Sequence, residues 1–233
     1  LEDLRWLIIR IVIYLSAASV LSFFIADIII DYVKLPAKNT INDFLILRPT
    51  EPITIYFKTV IYSGLVISFL PICYECIKFI APALQKEKTI SIVKYSISAF
   101  VLFISGTVFS YFIVLPNTIK FLSNIAVHLT SSAPQFTLNS YISFVFAVLL
   151  SGGIIFEIPL ICAVLTALQI VSPKILKKFR KEVFFVLCVF AAIITPTTDV
   201  FSLTLFVLPM IVLYEIGIFV SAVIYKKIVS ENP

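Results

Sequence analysis

Glu157 is the residue with the most chemical consequence in this chain, because almost nothing polar surrounds it. It sits in a run from Tyr141 to Leu168 whose other members are mostly apolar or small. A carboxyl near the centre of a bilayer costs several kcal/mol, so it normally faces a polar cavity or a partner and marks function. The plainer reading is a protonated carboxyl bonded to a neighbouring helix. Asp199 and Glu215 are two further acids inside or at the edge of apolar runs, and both are expected on the same outer half as Glu157. Glu2 and Asp3 precede Arg5, and Glu87 lies between Lys86 and Lys88. These acids are placed to attract a basic ligand, although surface acids beside basic residues are usually solvated local pairs. Glu75 and Lys78, three apart at a helix end, read as one such pair.

Other chemistries find little support. Cys73 and Cys76 form a C-x-x-C inside an apolar run, without the strand–helix setting of a thioredoxin-like site. They read as packing residues, as do Cys162 and Cys188. His128, the only histidine, lies in a polar connection with no partners at metal-ligand spacing. No phosphate-binding glycine loop or catalytic triad is recognisable, so no cofactor and no enzymatic activity are expected.

The elements that must position these residues are membrane-spanning helices. Of the 233 residues 61% are hydrophobic, the mean hydropathy is +1.10, and apolar runs of about 18 residues or more recur. The predicted fold is all-α: one polytopic domain over 1–233, with helices at about 7–30, 53–80, 90–115, 140–168, 183–194 and 200–225. The net charge of +5 serves orientation and implies no nucleic-acid partner. Arg5, Arg10, Lys78, Lys86, Lys88, Lys94, Lys174, Lys177, Lys178, Arg180, Lys181, Lys226 and Lys227 fall on one side. Lys34, Lys38, Arg48 and Lys120 fall on the other. That asymmetry places both termini in the cytoplasm. Lys58 lies within the second helix.

Details of the connections follow from their composition. The chain opens at Leu1 without an initiator Met, so upstream residues are expected. Leu1 to Arg10 reads as an amphipathic lead-in whose Trp6 suits a membrane–water interface. The connection from Asp31 to Pro52 is long, with Ile41 to Leu47 as a candidate surface helix. Pro71 is placed to kink the second helix. The third helix is expected to end at Pro116-Asn117, with Asn117 to Val127 as a separate helical piece of a second long connection. Ser172 reads as an N-cap with Pro173 at the first helical position. The fifth run, Val183 to Ile194, has only 12 residues, about 18 Å of helix against the roughly 30 Å of a hydrocarbon core, so local thinning of the bilayer is expected.

Several segments, in order, resemble TatC, the multispanning core of the twin-arginine protein translocase. Leu1-Glu2-Asp3-Leu4-Arg5 looks like the end of the family's amino-terminal H-L-x-E-L-R motif. Arg48-Pro49-Thr50-Glu51-Pro52 resembles the start of its second helix. Phe79-Ile80-Ala81-Pro82-Ala83-Leu84 with Lys86-Glu87-Lys88 is similar to its first cytoplasmic loop, the most specific segment. Phe109 to Pro116, including Tyr111, looks like the end of the third helix, and Phe156-Glu157-Ile158-Pro159 matches the fourth-helix F-E-x-P. Thr195-Pro196, Asp199-Val200-Phe201-Ser202, Leu208-Pro209 and Tyr214-Glu215-Ile216 match the last two helices. The departures are Asp3 for the usual Glu, Leu7 for a basic residue, Glu75 for a glutamine, and a motif histidine that would precede Leu1.

The resemblance implies a non-catalytic receptor and scaffold that moves folded proteins across the membrane on the proton-motive force. It implies a glove-like concave bundle. Asp3 and Glu87 would bind the paired arginines of twin-arginine signal peptides, as bidentate carboxylate–guanidinium geometry favours. Glu2 and Arg5 would stand beside them, with Phe79 and Pro82 shaping the patch. Glu157 would face an intramembrane groove and meet single-span partner subunits of the TatA and TatB type. Asp199, Met210 and Glu215 would belong to the partner-binding face of the short last helices, and Pro49 and Tyr111 would hold the loops. Self-association in a larger receptor complex is implied too. Richness in Ile, Phe and Lys with little Gly, Trp and Met suits an AT-rich genome, hence a bacterial inner membrane, a thylakoid or a mitochondrial inner membrane. The rival reading is a proton-coupled small-molecule transporter with Glu157 and Glu215 as relays. It predicts inverted repeats, and none is visible in the sequence.

Overall fold

The computed structural model describes residues 2–38, 41, 44–80, 89–130, 136–194 and 200–231. The chain divides into two compact units, residues 1–72 with 107–150, and residues 73–106 with 151–233. Among the described residues, five helices are long and apolar enough to cross a membrane. The chain is a multi-pass membrane protein.

In the first unit, α1 (Glu2–Phe23) already begins at the acidic lead-in, so the expected separate amphipathic segment is its first turns. It stops at Phe24 and Ile25 rather than running to Ile30, and α2 (Ala26–Lys34) follows as a short amphipathic helix with Ala26 and Val33 buried. The freed carbonyl of Phe23 accepts from the Tyr56 hydroxyl at 3.1 Å. The carboxyl end of α2 would leave carbonyls unpaired. Two of them are capped by tyrosines from far along the chain. Tyr111 donates to Tyr32 O and Tyr141 to Val33 O, each at 2.7 Å.

A 3-10 turn (Leu35–Ala37) follows α2. The surface helix expected over 41–47 is not formed: Phe44–Leu45 is extended (β1) and pairs in parallel with Phe136–Thr137 (β2). The aromatic Phe44 side chain gains more there, packed 4.8 Å from the Tyr141 ring, than it would on a short exposed helix, which is marginal in isolation. Pro49 lies exposed in the turn before α3 (Glu51–Ile80). Glu51 is buried, and its carboxylate accepts from the Leu47 N–H at 3.3 Å, tying that turn to the helix start. α1 and α3 cross closely at Gly64, where a Cβ would lie 2.9 Å from the Ser19 backbone.

The third long helix departs from expectation. α4 (Thr89–Phe109) continues through a π-turn (Ser110–Val114) into α5 (Leu115–Thr130) without ending at Pro116. Proline normally breaks a helix because it lacks an N–H and its ring meets the carbonyl four residues back. Here the wider π-turn comes immediately before it, with Leu115 N–H reaching Ser110 O. The Asn117 side-chain amide then donates to Ile113 O at 2.6 Å. Tyr111 is thus a residue of this π-turn, not of a loop.

In the second unit, α4 packs against α6 (Leu138–Phe156) through small residues. A Cβ at Gly106 would lie 2.8 Å from Phe156 Cγ and overlap the Gly152 carbonyl, and one at Gly153 would lie 2.5 Å from the Phe103 ring. α7 (Ile158–Ala167) packs along α10 (Val200–Glu231), where Cys162, Tyr214 and Ile218 form a buried cluster and Thr166 and Ser221 share a hydrogen bond at 2.5 Å. α7 closes with Gln169 in the left-handed region at φ 57° and Ile170 N–H bonded to Leu165 O, a Schellman-like stop. Ser172 caps α8 (Pro173–Lys178) as expected, its hydroxyl accepting from Ile175 N–H at 3.4 Å. α9 (Arg180–Ile194) has 15 residues, three more at its amino end than the apolar run, yet at about 22 Å it is still short of a roughly 30 Å core.

Candidate functional site

Pro159 has no N–H to give to Ile155, so the regular ladder fails one turn earlier. The break falls at Glu157, between α6 and α7, where the Glu157 N–H bonds to Ile154 O at 3.1 Å instead. Gly152 and Gly153 precede the break and are buried. Glu157 itself is half-buried. Its Oε1 is buried and, among the described residues, has no hydrogen-bond partner. Buried polar atoms are paired in the great majority of proteins, and an unpaired one costs on the order of 1–3 kcal/mol or more for a charged group. The chain therefore keeps an oriented acceptor in the middle of an apolar span. A donor from outside the chain can fill it.

Glu215 is different. It was expected with Glu157 on the outer half, but its carboxylate pairs with Arg180 at 2.6 Å, and both side chains are about half exposed. Arg180 opens α9 beside the basic segment, so Glu215 lies level with that side. The arithmetic of the hairpin explains it. α10 starts at Val200 and Glu215 is 15 residues on, about 22 Å, the length of α9 itself. A carboxylate already held by a guanidinium is a poor proton relay, which removes the second relay of the transporter reading.

Met210 does not lie on the outward face of its helix. It is fully buried, whereas Leu208 and Val212 on the same helix are 59% and 57% exposed. The outward apolar face of this hairpin consists of residues such as these and, on α9, Phe185 and Ile193 at 68% and 76% exposed. Asp199 lies outside the described residues.

Of the candidate arginine-binding residues, Glu2 and Asp3 form the exposed first turn of α1. Neither is ion-paired among the described residues; the expected local partner, Arg5, lies with its guanidinium 5.9 Å from the Trp6 ring centre instead. Phe79, at the end of α3, is 45% exposed. Pro82 and Glu87 lie outside the described residues.

Of the three capping tyrosines only Tyr111 stood out in the sequence, as a loop residue; Tyr56, Tyr141 and the partners of Lys58 did not. Its ammonium donates to Asn139 Oδ1 and Ser143 Oγ, both at 2.7 Å. A cation inside an apolar run was the available signal. Only the packing of α3 on α6 shows what it meets.

Comparison with known proteins agrees along the whole length. A protein-family model described as TatC, Sec-independent protein translocase protein, matches residues 1–209. The Sec-independent protein translocase protein TatC of Halalkalibacterium halodurans is 33% identical over 230 residues, covering 98% of this chain and 89% of that protein. The TatC of Aquifex aeolicus is 32% identical over 229 residues, covering 97% and 95%. A crystal structure of the twin-arginine translocase receptor TatC superposes with a TM-score of 0.84 at 31% identity, covering 96% of this chain and 98% of that one.

Proposed function

The chain belongs to the TatC family of Sec-independent protein translocase proteins, and from that membership we propose that it is a signal-peptide receptor and scaffold for moving folded proteins across an energy-transducing bacterial membrane. The observation that carries the reading is the exposed pair Glu2 and Asp3, without ion-pair partners among the described residues, at the start of a chain that matches the family from residue 1. Exposed carboxylates on a rigid helix turn are suited to bidentate capture of arginine side chains.

In this reading Asp3 and Glu87 take the paired arginines, with Glu2, Arg5, Phe79 and Pro82 around them. The apolar part of the signal peptide then inserts toward Glu157, whose free acceptor fits a polar group on that peptide or on a single-span partner helix. α9 counts as a sixth, short span, so both termini are cytoplasmic. Partner subunits dock on the exposed apolar residues of α9 and α10, several copies assemble, and the proton-motive force drives transport without catalysis by this chain.

Charge reversal tests the receptor step. Asp3→Lys and Glu87→Lys are each expected to abolish capture of a twin-arginine signal peptide by the purified protein, while a double-lysine peptide binds weakly to all forms. Undiminished capture by Glu87→Lys sinks the assignment.

A further inference from the structure

Lys58 is a cation whose described partners are both neutral. An ammonium has three donors and no acceptor. Asn139 Oδ1 and Ser143 Oγ take two of them at 2.7 Å each. The Ser143 hydroxyl proton is itself committed to Asn139 O at 2.8 Å, so Ser143 meets the lysine as an acceptor. Two dipoles thus orient the charge and, among the described residues, leave one N–H and the full positive charge uncompensated.

The height of this group is fixed by helix length. α3 has 30 residues, about 45 Å, and the span made by α6 and α7 also has 30. Centred on a hydrocarbon core of about 30 Å, each leaves roughly five residues outside at either end. The boundary then falls near Tyr56 on α3 and near Ser143 on α6. Lys58 is therefore at the level of lipid headgroups, at the end of the spans where α3 and α6 begin. The surroundings lie on the exposed surface of the helix. Ile61, one turn further along the same face of α3, is 54% exposed, and Phe57 is 60% exposed. Thr54, one turn back, is exposed too.

We infer that Lys58, held by Asn139 and Ser143, binds the phosphate of an anionic phospholipid whose acyl chains lie along Ile61 and Phe57. A phosphodiester monoanion matches one unpaired ammonium charge. In a phosphatidylcholine the phosphate already has its own cation, so a net-anionic lipid such as phosphatidylglycerol is preferred.

The test uses the full chain in vesicles of phosphatidylglycerol and phosphatidylcholine, with native mass spectrometry counting lipids retained on release into detergent. The wild type is expected to keep one more phosphatidylglycerol than Lys58→Gln, with retention about fivefold lower in the variant, the worth of one lysine near a lipid surface. Lys58→Arg should keep it. The double variant Asn139→Ala with Ser143→Ala, which retains the charge but frees the side chain, should lose part of it and serves if Lys58→Gln does not fold. Equal phosphatidylglycerol retention by wild type and Lys58→Gln overturns the proposal. So does stabilisation of detergent-purified wild type by inorganic phosphate alone with no retained phosphatidylglycerol, which assigns the site to a free anion.

Discussion

Glu157 and Lys58 are both charged-type residues in apolar spans, and their surroundings differ in kind. Lys58 has two oriented acceptors within its own unit, whereas Glu157 Oε1 is buried and unpaired among the described residues. An acceptor left open in this way is best explained by a group supplied from another molecule. Glu157→Gln keeps the shape and one acceptor but removes the charge. It is expected to weaken association with single-span partner subunits by about 1.5–3 kcal/mol, roughly tenfold to a hundredfold, while signal-peptide capture stays unchanged. Co-purification and peptide pull-down on the same preparation check this; loss of signal-peptide capture with intact partner association overturns it. Glu215 should behave differently, because its carboxylate is already engaged by Arg180.

At the scale of elements, close approach of helices depends on missing side chains. With no solvent-driven hydrophobic effect between spans, packing of small residues does more of the work. The two glycine contacts of α4 with α6 differ in what a new methyl would strike. At Gly106 it is the Gly152 carbonyl, which is backbone, and at Gly153 it is the ring of Phe103, a fully buried side chain. A ring can shift by a few tenths of an ångström, and a helix backbone shifts only as a unit. Gly106→Ala is therefore expected to cost more than Gly153→Ala, with overpacking of this kind worth about 1–3 kcal/mol. Thermal unfolding of both variants in the same detergent ranks them. A larger loss for Gly153→Ala shows that the Phe103 ring, not the carbonyl, is the rigid member.

At the scale of the molecule, the proposed arrangement of six spans with cytoplasmic termini would place Lys38 and Lys178 on opposite sides of the membrane. With the four native cysteines replaced, Lys38→Cys should react with a membrane-impermeant maleimide added outside intact cells. Lys178→Cys should react only after lysis. Labelling of both from outside contradicts the topology. Much of this level was legible in the chain. The apolar run lengths, the basic asymmetry and the ordered motifs depend on sequence alone, and they led to the membrane class and to a family that the match over residues 1–209 bears out. Ser172 as a cap was legible for the same reason, since capping is a contact between residues three apart.

What the tertiary structure decided was each outcome set by how distant helices are rotated and aligned. Pro116 stays within a helix because a π-turn precedes it. The α2 carbonyls are capped by Tyr111 and Tyr141, 79 and 108 residues away from their acceptors. Met210 is buried although Leu208 and Val212, two residues to either side of it, are exposed. Glu215 finds Arg180 because α9 equals the distance from Val200 to Glu215, a matter of height along a hairpin. Hydropathy along a chain records how long a helix is and how apolar. It carries no record of which face turns inward or which residue of a neighbour stands level with it, and those two quantities decide the partner of every polar group inside the membrane.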